Sequence, residues 1–204
     1  MSDLPIGHPT EAAPDVAAAD RATANGTATS MAALRNYQPR DSGQAQLQGQ
    51  FLELLASVGK LAMVREHNPA HLTASALIVD PVADRVLLVL HNKVKRWLQT
   101  GGHVEPGEDL ATAALREARE ESGIHDLVLG NDIVDLDIHR APCGAQEHWD
   151  VRFLAVAPTH ATPVVSDESD DVAWFAADAI PGDDPTVTRL VSLRHLAGRH
   201  LAPQ

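Results

Sequence analysis

Three glutamates, Glu117, Glu120 and Glu121, stand at i, i+3 and i+4 in a run of good helix formers that has no glycine or proline from residue 110 to 121. At 100° per residue they span about 100° of arc, so the three carboxylates share one helix face. Carboxylate oxygens held at fixed spacing are a ligand set for a hard divalent cation such as Mg²⁺. A solvated acidic face is the competing reading, because like charges at i, i+4 cost only about 0.2–0.5 kcal/mol a pair.

A metal site needs rigid placement, and the flanking residues supply it. Leu110, Ala111, Ala114, Leu115 and Ala118 form an apolar stripe that would seat the helix on a core. Ahead of it, the glycine pair Gly101-Gly102 and the turn Pro106-Gly107 predict a loop, and Gly123 predicts the helix stop.

The full spacing narrows the choice. Gly102, five residues, Glu108, seven residues, then Arg116-Glu117-Ala118-Arg119-Glu120-Glu121, one residue and Gly123-Ile124 make a string that resembles the Nudix box of the Nudix hydrolase superfamily. Ala118 stands where a larger aliphatic residue is usual. The resemblance implies an α+β fold, a mixed sheet sandwiched between helices as α/β/α layers. It implies Mg²⁺, with Mn²⁺ as a substitute, held by Glu117, Glu120 and Glu121. It also implies hydrolysis of the diphosphate linkage of a nucleoside diphosphate joined to another group X. Gly102, Glu108, Arg116 and Gly123 are then supporting residues, with Glu108 and Arg116 joining loop to helix through an ion pair. Box glutamates committed to a cation are poor bases. Glu168, in SDESDD and six residues before Trp174, suits the place from which some Nudix enzymes supply a further carboxylate, and Glu117 is the next choice. The competing function is a nucleotide-sensing or interaction module that keeps the fold without turnover.

The 204-residue chain is 44% hydrophobic, enough for one domain with a core plus an extension. Its 16 Lys and Arg against 28 Asp and Glu give a net charge of −12. That disfavours a nucleic-acid polymer or an anionic membrane as partner and favours a small nucleotide or diphosphate met by local cations. The single cysteine, Cys143, can form no internal disulfide, which points to a reducing cytoplasm. No apolar run is long enough to span a bilayer, and the N-terminus lacks a basic segment followed by an apolar one.

Residues 1–40 are rich in Ala, Thr, Pro, Asp and Gly without a sustained apolar period, and disorder is the expectation, with an Ala-rich helix near residues 15–24 as its rival. The domain is expected over 41–204. A homodimer stays open, with the tail as the segment that would cross between copies. A helix is expected over 45–64, a hairpin from 71–79 and 85–90, short strands at 127–128 and 133–139, strands at 149–157 and 172–175, and a last helix at 185–196.

Several other residues are candidates for ligand contact. Lys93, Lys95 and Arg96 precede the box and would form a cationic lip for phosphate. His103 follows the glycine pair, while His139 and His148 could face a ligand or cap strand ends. Trp97 reads as core rather than as a stacking platform. Arg152 lies in an apolar strand, where a buried guanidinium requires a carboxylate or phosphate partner.

Overall fold

The computed structural model describes residues 16–67, 69–80, 82, 84–140 and 147–197, with backbone alone for 16–20. Cys143 and most of the polar loop before residue 148 lie outside these residues, as do residues 1–15. Among the described residues no helix is long and apolar enough to cross a membrane.

The organising strand is β1 (Ala70–Asp80), buried at every position. A strand of that kind must be paired on both edges and covered on both faces. It runs antiparallel to β2 (Arg85–His91) and to β4 (Thr100–His103), and parallel to β7 (Glu147–Val156). β2 also pairs with β3 (Trp97–Leu98) and β8 (Ser169–Ala176), while β7 pairs with β5 (Val128–Leu129) and β6 (Asp135–Arg140). The eight strands form one mixed sheet.

Because strand side chains alternate, β1 divides its residues between two layers. Leu72, Ala74, Ala76 and Ile78 pack with Leu34 of α1 (Val16–Asn36), Phe51 and Leu55 of α2 (Ser42–Val58), and Leu110, Ala113, Ala114 and Ala118 of α3 (Leu110–Ser122). Leu77 and Val79 pack on the other side with Val86, Leu88, Leu154 and the Val187, Leu190 and Val191 stripe of α4 (Pro185–Ser192). The result is the α+β sandwich expected from the sequence. At its far end the second face is not apolar: His71, Thr73 and Ser75 are buried polar residues.

The starts of α2, α3 and α4 follow from local signals. Asp41, Asp109 and Asp184 cap α2, α3 and α4, their carboxylates accepting from Gln44, Thr112 and Thr186 amides at 2.8 Å. Gly123 ends α3 with φ 68°, a left-handed conformation that glycine adopts without Cβ strain.

Two expectations are corrected. Residues 16–36 form a helix, as the rival reading near residues 15–24 has it, where disorder is the first expectation; residues 1–15 lie outside the described residues. The composition is poor in apolar surface, but the little there is gets used: Leu34 and Tyr37 are buried. Gly26 lets the helix approach so closely that a Cβ there would overlap the Glu108 carbonyl. Packing therefore overrides weak intrinsic propensity. The second correction concerns residues 100–103, which form β4 and not loop. Glycine is disfavoured in strands except where another group comes close, and both glycines here meet such a group. A Cβ on Gly101 would overlap Ser75, and one on Gly102 would overlap the Glu117 carboxylate.

Candidate active site

The box helix α3 presents Glu117, Glu120 and Glu121 toward the loop and strand that precede it, and Arg116 fixes the arrangement. All five guanidinium N–H groups donate: Nε and one Nη to Glu108 (2.8 and 3.1 Å), the same Nη to the His103 carbonyl (2.9 Å), and the other Nη to Glu117 (2.9 Å) and Glu120 (3.0 Å). Glu108 also accepts the Glu105 amide at 3.0 Å, which holds the turn ahead of the helix. A lysine has neither the donor number nor the planar fork to do this. The hydrogen bond to Glu108, with further help from Glu117, raises the Arg116 pKa above its ordinary value, so it remains a cation.

The three glutamates differ in environment. Glu120 is mostly exposed, Glu117 is largely enclosed, and Glu121 is buried at 5% exposure. Glu121 accepts the Gly101 amide at 2.9 Å, so β4 touches the helix through a backbone group. Burial pushes the Glu121 carboxyl up to about 8; the Gly101 amide opposes this, and the charges of Glu117, Glu168 and Glu120 add to it. Burial also raises Glu117, against the pull of Arg116 and with Glu120 and Glu168 adding to it.

Glu168, distant in sequence, is thus near enough to bear on both buried box glutamates. Its carbonyl accepts the Asn92 amide at 3.2 Å, and the Asn92 side chain donates to the Asp167 carbonyl at 3.2 Å. The turn between β2 and β3 is thereby joined to the loop before β8. This places the candidate cationic lip in the same neighbourhood. Lys95 is paired with Asp170 at 2.6 Å and Arg96 with Asp184 at 2.5 Å, so both spend charge on carboxylates of the chain. Lys93 has no ion pair among the described residues, and its amide donates to His91 Nδ1 at 3.2 Å.

Arg152 has the carboxylate partners that burial demands. It is 1% exposed and bonds Asp150 (2.8 Å), Asp137 (3.0 Å) and Asp135 (3.3 Å). Arg189 of α4 and Arg40 join Asp135 at 2.7 and 2.6 Å. The guanidinium is enclosed among these carboxylates, which makes it a clamp between β6, β7 and α4. His103 projects on the opposite side of the sheet from α3, beside His71 and His148. Trp97 packs edge-on against Phe175 at 4.8 Å, as core.

The donor set suits a hard divalent cation. Three carboxylates share one helix face with Arg116 engaged beside them, and desolvation and like charge raise the buried Glu121 carboxyl well above its ordinary range. Glu117, Glu120 and Glu121 would hold the cation.

Comparison with known proteins agrees with this geometry. A family model for the NUDIX domain matches residues 69–192. The chain is 31% identical over 121 residues to the mouse oxidized purine nucleoside triphosphate hydrolase, covering 57% of this chain and 73% of that one. A NUDIX-family hydrolase from Clostridium perfringens superposes with TM-score 0.53 at 26% identity, covering 64% of this chain and 99% of the other. The dihydroneopterin triphosphate pyrophosphohydrolase of E. coli shares the fold with TM-score 0.51 at 21% identity, over 59% and 92% of the two chains. With the box glutamates on α3 and the matched region spanning the whole sheet, the chain belongs to the NUDIX hydrolase family.

Proposed function

We propose that this enzyme hydrolyses the diphosphate linkage of a nucleoside diphosphate joined to a further group X, using Mg²⁺ or, in its place, Mn²⁺. The observation that carries the reading is the set of box glutamates on one face of α3, with Glu117 and Glu120 held by Arg116 and Glu121 by the Gly101 amide. The mouse relative, by its name, acts on oxidised purine nucleoside triphosphates, which supports a nucleotide as the substrate class.

A bound divalent cation supplies charge neutralisation of the diphosphate and a lowered pKa for the attacking water. The rest falls to side chains. Arg116 holds Glu117 and Glu120 in register with the loop at Glu108, and the Gly101 amide holds Glu121. Glu168 takes the proton of the attacking water as its oxygen bonds to phosphorus. The bridging P–O bond then breaks, and its oxygen leaves on the departing phosphate. Lys93 is the member of the cationic lip that would meet phosphate charge most readily, whereas Lys95 and Arg96 would first have to exchange Asp170 and Asp184 for it.

The test is turnover of a panel containing oxidised and ordinary nucleoside triphosphates, dinucleoside polyphosphates and nucleotide sugars, with Mg²⁺ or Mn²⁺. At least one member should be cleaved at a phosphoric anhydride, and Glu120→Gln should reduce that rate by orders of magnitude with the fold unchanged. Binding without turnover across the panel would favour a sensing module.

A further inference from the structure

A second polar cluster lies on the other side of the sheet from the box helix. His71 is the register partner of His148 across the parallel β1–β7 pair, and His148 is the partner of His139 across β7–β6. His103 on β4 is paired with Thr73, two residues along β1 from His71. Cross-strand partners share a face, and so do residues two apart in a strand. All four imidazoles therefore project from the β1 face that carries Thr73 and Ser75, opposite Leu72 and Ala74, which pack against α3.

The rings meet there. His71 and His103 centroids are 5.1 Å apart, His71 and His148 4.9 Å, and His103 and His148 5.1 Å. One nitrogen from each of the three lies within 4.8 Å of the others. His71 is fully buried, and its Nδ1 lies 3.4 Å from the His67 carbonyl, which assigns the proton to Nδ1 and a lone pair to Nε2. Among the described residues that Nε2 has no hydrogen-bond partner, and neither does the buried Nε2 of His103. Leaving a buried polar atom unsatisfied costs about 1–3 kcal/mol.

We propose that His71, His103 and His148 form a binding site for a borderline transition-metal cation, Zn²⁺ by preference, separate from the carboxylate site on the box helix. Three imidazoles are a soft enough set to select Zn²⁺ over Mg²⁺, and Zn–N bonds of about 2.0–2.1 Å would draw the three nitrogens, within 4.8 Å of one another, closer together. Burial, together with neighbouring positive charge, holds all three below the ordinary histidine range, so they are in the neutral form a metal binds. The His67 carbonyl behind His71 is the kind of outer partner that orients a ligating ring. A fourth position is left for water, with His139, itself held by Asp137 at 3.1 Å, beside His148. Bound metal would fasten β1, β4 and β7 to one another, and β4 carries the glycines against which Glu117 and Glu121 rest.

Co²⁺ titration of the untagged full chain distinguishes the two sites, because a nitrogen-rich four-coordinate Co²⁺ absorbs visible light far more strongly than Co²⁺ held octahedrally by carboxylates and water. One equivalent of the strongly absorbing species should form per chain, be displaced by Zn²⁺, persist in Glu120→Gln and be lost in His148→Gln. Zn²⁺ should raise the Tm of the wild type and of Glu120→Gln, and this rise should vanish in His148→Gln. His71→Gln should behave as His148→Gln does; if burial at that position prevents folding, the half-buried His148 variant decides alone. The proposal is overturned if no strong band forms, if the band survives His148→Gln, or if Glu120→Gln abolishes it.

Discussion

Ser30 on α1 accepts the backbone amide of Leu110, the first residue of the box helix, at 3.1 Å across 80 positions of chain, while its own hydroxyl donates to Gly26 at 2.8 Å. The N-terminal helix thus satisfies an N–H that the box helix cannot satisfy internally. Tyr37 continues the attachment through Gln44 (2.6 Å), whose side-chain amide exchanges hydrogen bonds with Leu136 of β6.

Removing residues 1–40 is accordingly expected to lower Tm markedly and to reduce activity through the box helix. Ser30→Ala alone should cost about 1–3 kcal/mol, the range for a buried donor left unmade. Urea denaturation of both variants measures this. A deletion that melts with the full-length protein would show that α1 contributes nothing to the domain.

Arg152→Met leaves Asp150, Asp135 and Asp137 buried with fewer counter-charges. A loss of about 3–5 kcal/mol is expected from breaking such a pair. KM measured on the fraction that remains folded should be near that of the parent. A raised KM with unaltered stability would instead return Arg152 to the substrate.

The Glu121 carboxyl is raised from 4.5 to about 8 by burial in the folded, metal-free state. Between those two values the unfolded chain releases the proton that the folded chain keeps, so stability falls as pH rises through that window, by an amount on the order of a few kcal/mol. In EDTA, denaturation midpoints should therefore be lower at pH 8.5 than at pH 5.5. Glu121→Gln should flatten the difference, and Mg²⁺ should do so too by favouring the ionised form. An identical slope in Glu121→Gln would assign it to other groups.

Glu168→Gln should reduce kcat by about 10²–10⁴-fold, with a smaller change in KM, and should remove one limb of the pH–rate profile. The variant keeps the Asn92–Glu168 backbone contact, so the loop should stay in place. If kcat and pH profile match the parent, Glu117 becomes the candidate base.

The parts legible in the sequence are those with local causes. Asp109, the apolar stripe and Gly123 define α3, and the alternation at 71–79 and 85–90 defines the first hairpin. What was hidden depends on partners far away. Gly101 and Gly102 look like loop residues until Ser75 and Glu117 are seen against them. Gly26 looks like a helix breaker until it meets Glu108. His103, His139 and His148 were visible singly, while His71 passed as an ordinary strand residue. Only the register of β1, β4, β6 and β7 assembles them.

The parallel seam between β1 and β7 also governs how the molecule is built. β1, β2, β4 and α3 are contiguous in the chain, and their contacts close short loops. β7 must cross that whole unit before Ala70 can lie beside Glu147, and β5 and β6 can pair only once β7 is in place. Loop-closure entropy makes such distant pairing slow. In refolding, the glutamate-bearing helix is therefore expected to gain amide protection ahead of β6 and β7.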